Sequence, residues 1–241
     1  MTVLVTIAVY RIPRDLLERA VRSVLAQTHT DLQIVVMGDG EPVDLDVRDE
    51  RLFVHDFPDN RGPYFRQVVA LATSPHEWYA TMGADDWLEP EHLETLLAPR
   101  GTSASIPTYV WNGERKQRSW LGELGIVKTE RLRAIGGYNP AERIGQDSLI
   151  WRLLAQQGHI ATTRRATYHR TLREGSLTSA PETGIGSPAR RAVIARNREI
   201  LRACRGKSAE WVRQYRAGLV PGDIWRDVND AIGQLLGVVA A

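Results

Sequence analysis

The sequence predicts an α/β protein: a mixed, mainly parallel sheet flanked by helices, followed by a helical C-terminal appendage. Three observations carry this. Short apolar runs rich in β-branched residues, such as 2–9 (TVLVTIAV) and 32–37 (LQIVVM), have the length and composition of strands buried on both faces. They alternate with stretches whose apolar residues recur at helical spacing, the pattern of a parallel sheet with right-handed crossovers. Beyond Pro188 only helical segments follow. The expected division is a sheet domain over 1–187 and a helical extension over 188–241.

Composition narrows the class. The chain has 241 residues, enough to bury a large core without staples. Hydrophobic residues make up 43% and charged residues 25%, which excludes a disordered chain. One cysteine, Cys204, excludes a disulfide framework and a Cys-built zinc site. No apolar run approaches the roughly 18–20 residues that span a bilayer. The opening residues lack a basic leader and a small-residue cleavage site, so a cytoplasmic protein is expected.

Element by element, the first strand is followed by Pro13 and a helix over 13–27 carrying Leu16, Leu17, Ala20, Val21, Val24 and Leu25 on one stripe. Gly38-Asp39-Gly40 closes the second strand, and 52–55 is a short third. Asn60-Arg61-Gly62-Pro63 is a turn before a helix over 64–73. The strand 77–82 ends at Gly83-Ala84-Asp85-Asp86, and Pro90 starts a helix to 98. Strands are expected near 104–110 and 123–128, joined by a turn at Asn112-Gly113. A helix over 129–135 has Thr129 as its cap; another over 147–157 stops at Gly158. A last strand covers 160–169, a loop 170–187, and three helices 189–204, 208–218 and 223–237. The sheet is Rossmann-like, but no GxGxxG follows the first strand, which argues against a dinucleotide site.

Charge is unevenly placed. Residues 1–100 hold nine arginines and no lysine against seventeen acids, net −8; the remainder is +10. This is either compositional drift or an acidic half that can hold a cation beside a basic half facing an anionic partner.

In open sheets of this kind ligands bind beyond the carboxyl ends of the strands, and Tyr10, Asp39 and Asp85 fall at such ends. Adjacent carboxylates at Asp85 and Asp86 repel each other unless a cation sits there, and oxygen ligands suit Mg²⁺ or Mn²⁺ with a diphosphate. Asp86 is alternatively the cap of the next helix. Asp147, at a helix start, is a general base or a capping residue. Asp39 is a turn residue or an acceptor for a nucleobase N–H.

In order along the chain, residues 3–40 (VLVTIAVYRIPRDLLERAVRSVLAQTHTDLQIVVMGDG), NRGPYFRQ, GADDWLEP, GIVKTERLRAIGGYNP, GQDSLIWRLLAQQG and REGSLT resemble the motifs of family-2 glycosyltransferases with the GT-A fold. The resemblance covers about 2–180. It implies an inverting, metal-dependent transfer of a sugar from a nucleotide-diphosphate sugar, with a UDP-sugar the expected donor, to a hydroxyl-bearing acceptor. It places Asp39 on the nucleobase with Tyr10 beside it, Arg66 near the diphosphate, and Ala84 and Asp85 against the nucleotide-sugar. Asp85 would coordinate Mg²⁺ or Mn²⁺, and Asp147 would deprotonate the acceptor. Asp86, Gln146 and Arg173 are candidates for acceptor or phosphate contacts.

The chain departs from the family pattern at five places. The first Asp of Asp-x-Asp is Gly83, the usual Asp-Asp is Gly38-Asp39, and the Asn after the first-strand Tyr is Arg11. The Glu before the base is Gln146. The His before the Gly-Ser loop is absent, leaving Arg173 nearest by position and His169 as a candidate late metal ligand or a structural strand-end residue. The lost carboxylates leave an alternative: a catalytically impaired nucleotide-sugar-binding or scaffold protein of the same fold. A nucleotidyltransferase would want a Gly-rich loop where YRIPRD stands.

The acceptor is expected to be a saccharide or protein, with an anionic nucleic acid or lipid-linked carrier as the alternative. The latter rests on nine arginines between 190 and 226 interleaved with Trp211, Tyr215 and Trp225. The bland reading of these helices is packing on the core or on a second copy in a homo-oligomer.

Overall fold

The computed structural model describes residues 1–99, 101–111, 114–116, 125–158 and 160–239. Val3–Val9 (β1) pairs in parallel with Leu32–Asp39 (β2) on one side and Trp78–Met82 (β4) on the other. Leu52–Phe57 (β3) extends β2, again in parallel. Beyond β4 the sheet turns mixed: Ile126–Lys128 (β8) runs antiparallel to β4 and to Ala104–Trp111 (β6). Ala161–Arg170 (β9) runs parallel to β6, with a register shift between Ile106 and Thr108. Two short strands escape the sequence pattern: Trp87–Leu88 (β5), on β9, and Glu114–Lys116 (β7), on β6. The order is β3-β2-β1-β4-β8-β6-β9-β5.

Alternation along β1 and β2 divides the interior in two. Val3, Val5, Ile7, Ile34 and Val36 face Arg14–Leu25 (α1) and His92–Leu97 (α3). Leu4, Val35 and Met37 face Pro63–Thr73 (α2) and Gln146–Gln157 (α5). α1 begins after Pro13, whose carbonyl accepts from Leu16 and Leu17 N–H, and its buried stripe is Leu17, Ala20, Val21 and Val24. Taking Leu17, Val21 and Val24 from water stabilises by about 1.5–3 kcal/mol each, and Ala20 by less than about 1 kcal/mol.

The helix Thr129–Ala134 (α4) starts one residue earlier than a Thr129 cap would require. Lys128 is its N-cap without a side-chain bond, and Thr129 is buried as the first helical residue. The expected Asn112-Gly113 turn lies outside the described residues.

The three C-terminal helices, Pro188–Cys204 (α6), Ala209–Ala217 (α7) and Gly222–Val239 (α8), share the second core. Ile200, Cys204, Val212, Val228, Ala231 and Leu235 pack in one cluster with α2 and α5. Ser187 and Ser208 cap α6 and α7 by accepting from Arg190 and Trp211 N–H. Among the described residues no helix is long and apolar enough to cross a membrane.

Candidate active site

The carboxyl ends of β1, β2 and β4 open into one cleft of about 280 Å³, walled also by the starts of α2 and α5 and by the segment after β9. Tyr10, Asp39, Ala84, Asp85, Asp86, Asp147 and Arg173 line it, whereas Arg66, Gln146 and His169 are not among its lining residues.

One wall is built on Asp39, 2% exposed at the end of β2. Its Oδ1 accepts from Arg61 N–H (2.9 Å) and Arg66 Nε (2.8 Å), and its Oδ2 from Gly62 N–H (2.8 Å). Three of about four lone-pair directions are thus spent, leaving limited capacity toward the cleft. The turn that supplies these donors needs its glycines. Gly62 has φ 94°, and Gly40 (φ 92°) passes so close to Asn60 that a Cβ would stand 2.8 Å from its nitrogen. Asn60 Nδ2 donates to Asp39 O at 3.0 Å, and Arg143 in turn donates to Asn60 O at 2.6 Å. Tyr64 and Tyr138 stack at 5.6 Å beside this wall, and Tyr10 stands 40% exposed at its mouth.

Arg66 is not where the resemblance put it. It is 0% exposed, pairs with Asp39 and with Asp59 Oδ1 (3.1 Å), and lies 4.1 Å over the Phe57 ring. It neutralises Asp39 from behind and does not reach the cleft.

The acidic turn after β4 forms the floor. Asp85 presents its carboxylate to the cleft, with its side chain 16% exposed. Arg19 from α1 donates to Asp85 O and to Thr171 Oγ1, both at 2.8 Å, tying this turn to the segment after β9. Asp86 caps no helix: Oδ2 accepts from Tyr168 OH (2.9 Å) and Oδ1 from Thr171 N–H (2.8 Å). Burial raises its pKa from 3.8 to about 6, with Arg170 opposing and Asp85 adding to the rise. The missing carboxylate at Gly83 has a steric reason, since a Cβ there would meet Asp86 Oδ2 at 2.5 Å. Arg173 Nε lies 3.5 Å from Asp85 Oδ2, close enough for charge attraction, yet it has no hydrogen-bond acceptor among the described residues.

His169 faces away. Along β9 side chains alternate, so Tyr168 reaches Asp86 while the His169 ring stacks at 3.6 Å on Trp87, with Nε2 2.7 Å from Glu89 Oε1. A metal at Asp85 has no reach from that ring. Among the described residues no group of three or more His, Cys, Asp or Glu could hold a metal ion alone. A single carboxylate completed by diphosphate oxygens and water is nevertheless how Mg²⁺ is often held, and Asp85 fits that pattern.

Asp147 sits in the first turn of α5, after Gly145, and its Oδ1 accepts only the adjacent Ser148 N–H (2.9 Å). It is not the N-cap, and among the described residues no hydrogen bond or ion pair engages Oδ2. Behind it, α6 fixes the helix start: Asn197 Nδ2 donates to Gly145 O at 2.8 Å, and Val193 would lie 2.6 Å from a Cβ on Gly145. Gln146 is 1% exposed and points away from the cleft; its Oε1 accepts from Asn139 N–H (3.2 Å) and Arg216 (3.4 Å). Its side chain is therefore not part of the cleft in which the acceptor or phosphate contact was expected.

The sequence reading missed Arg19, Arg143, Thr171 and Asn197. Thr171 falls in the expected loop 170–187 and follows the observed strand, which runs one residue beyond the expected 160–169.

The chain matches the model of glycosyl transferase family 2 over residues 4–172. It belongs to that family. No curated protein matches it significantly. Among solved structures, it is similar to residues 1–349 of S. aureus TarS in complex with UDP-GlcNAc: TM-score 0.60, 18% identity, covering 73% of this chain and 60% of that one. The UDP complex of the same TarS segment gives TM-score 0.58 and 17% identity, covering 71% of this chain and 61% of that one. The family-2 chain thus spans about 60% of the length of these relatives. At this identity the likeness establishes a shared fold, the curled mixed sheet of GT-A glycosyltransferases.

Proposed function

We propose that this family-2 glycosyltransferase moves a sugar from a UDP-sugar to a hydroxyl-bearing acceptor with inversion at the anomeric carbon. The observation that supports this most is Asp147: an unengaged carboxylate oxygen, on a rigidly held helix start, lining the same cleft as Asp85 and Arg173. The likeness to a protein solved with UDP-GlcNAc supports the donor class.

In this reading Asp39 and the Tyr10 ring receive the nucleobase. Arg173, whose Nε lacks an acceptor, takes a diphosphate oxygen. Asp147 Oδ2 accepts the proton of the acceptor hydroxyl as its oxygen attacks the anomeric carbon from the face opposite the diphosphate. The bond to the diphosphate oxygen breaks as the new glycosidic bond forms, and one base suffices. Asp85 would hold Mg²⁺ or Mn²⁺, which supplies charge neutralisation for the leaving diphosphate. The intact cleft weighs against the scaffold alternative.

Asp147→Asn tests the base. It should fold and bind UDP as the parent does, and lose about 10²–10⁴-fold in transfer rate; near-parental transfer refutes the assignment. Asp85→Ala tests the metal. By titration calorimetry its UDP affinity should fall at least tenfold with Mn²⁺ present and little in EDTA. Equal losses in both media would remove the metal from Asp85.

A further inference from the structure

A second cavity of about 340 Å³ lies between α2, the segment after α4, and α7. Its size falls in the roughly 300–1,000 Å³ range of small-molecule sites. Apolar side chains form most of its wall, among them Leu71, Leu149, Val220 and Trp225. Three arginines line it, Arg133, Arg213 and Arg216, and no Asp or Glu does.

Arg216 is the informative one. It is 6% exposed, and its acceptors are both neutral: Ile135 O at 2.6 Å and Gln146 Oε1 at 3.4 Å. Among the described residues no carboxylate pairs with it. Burial lowers its pKa to about 10, so it remains a cation at neutral pH. A buried charge without a counter-charge is costly and is ordinarily paired. Gln146 is a neutral amide and supplies no counter-charge, which leaves the guanidinium charge available to a ligand. Arg213 adds an exposed positive group at the rim. Arg133 has its donors on Leu71 O and Ser74 O and contributes charge alone.

We propose that this cavity binds an amphiphilic anion: a carboxylate or phosphate head group on Arg216 and Arg213, with a short apolar body against Leu71, Leu149 and Trp225. Among the described residues this cavity and the sugar-donor cleft share one lining residue, Tyr138, and the arginines that would hold the head group line this cavity and not the cleft.

Octyl phosphate and octanoate, below their micelle concentrations, are the probes, followed by titration calorimetry on the full chain. At least one should bind, with the tighter of the two identifying the head group, while octanol and inorganic phosphate bind at least tenfold more weakly. UDP should not displace the bound probe. Gln146→Glu supplies the missing internal counter-charge and should abolish binding without unfolding the chain; Arg213→Gln, at an exposed position, should weaken it about threefold to tenfold. The proposal is overturned if neither probe binds, if UDP competes, or if the folded Gln146→Glu protein binds the probes as the parent does. Because every readout is binding rather than transfer, its failure leaves the glycosyltransferase reading untouched, and the reverse also holds.

Discussion

Arg66 and Arg216 are both buried guanidinium groups on helices, one behind the donor wall and one beside the second cavity, and their surroundings are opposite. Arg66 has two carboxylates and two aromatic rings around it. Arg216 has a carbonyl and an amide. The first is a strut that holds Asp39, and through it the 60–62 turn, in place. The second is a charge for which the described residues supply no carboxylate. Burial by itself therefore says little about a cation's role; the counter-charge decides. His92 shows a third solution. It is 4% exposed, its Nδ1 lies 2.8 Å from Thr167 Oγ1, and burial lowers its pKa to about 3, so it stays neutral.

The strongest way to break this comparison is Arg66→Met. It strands the Asp39 carboxylate in the interior and should cost about 3–5 kcal/mol of stability, read by urea unfolding, with UDP binding lost in parallel. A cost below about 1 kcal/mol would show that Arg66 is not a strut.

His92 gives an effect of middle size that depends on pH. Its folded pKa lies below the unfolded value of 6.5, so its contribution is fully present above pH 6.5 and is lost as pH falls toward 3. At pH 5 that amounts to about 2 kcal/mol, since each pH unit below the unfolded pKa is worth about 1.4 kcal/mol. His92→Gln should flatten the stability profile between pH 6.5 and 5; an unchanged slope would assign the acid sensitivity to other groups.

The smallest effect sharpens the contrast. Arg216→Met removes a charge that no carboxylate pairs among the described residues, a hydrogen bond to Ile135 O and a long one to Gln146 Oε1. It should change stability by no more than about 1 kcal/mol in either direction. A loss as large as that of Arg66→Met would make the two arginines equivalent struts and remove the reason to seek a ligand for the second cavity.

The four parallel strands and the long helices were legible because their signals are local. Continuous β-branched runs mark doubly covered strands, and a 3.6-residue stripe marks α1. Their order also indicated which edge of the sheet carries the cleft, and Tyr10, Asp39 and Asp85 line it. β5 and β7 were not legible, since strands of two and three residues exist only through their partners β9 and β6. The Thr129 cap failed because the chain was already helical at that residue.

What the sequence determined by itself was the sheet, the helices and the carboxylates at the strand ends. Backbone preference and hydrophobic periodicity act over a few residues and are written where they act. What only the tertiary structure decided was the direction and pairing of long side chains. Arg66 turns inward because Asp39, 27 residues earlier, waits at the end of the neighbouring strand. His169 turns outward because strand alternation gives the cleft side to Tyr168. Arg216 has no carboxylate partner among the described residues because Gln146, 70 residues away, carries no charge. Electrostatic partnership is set by distance in space, so the chain records which charges it has, and folding decides which of them are answered.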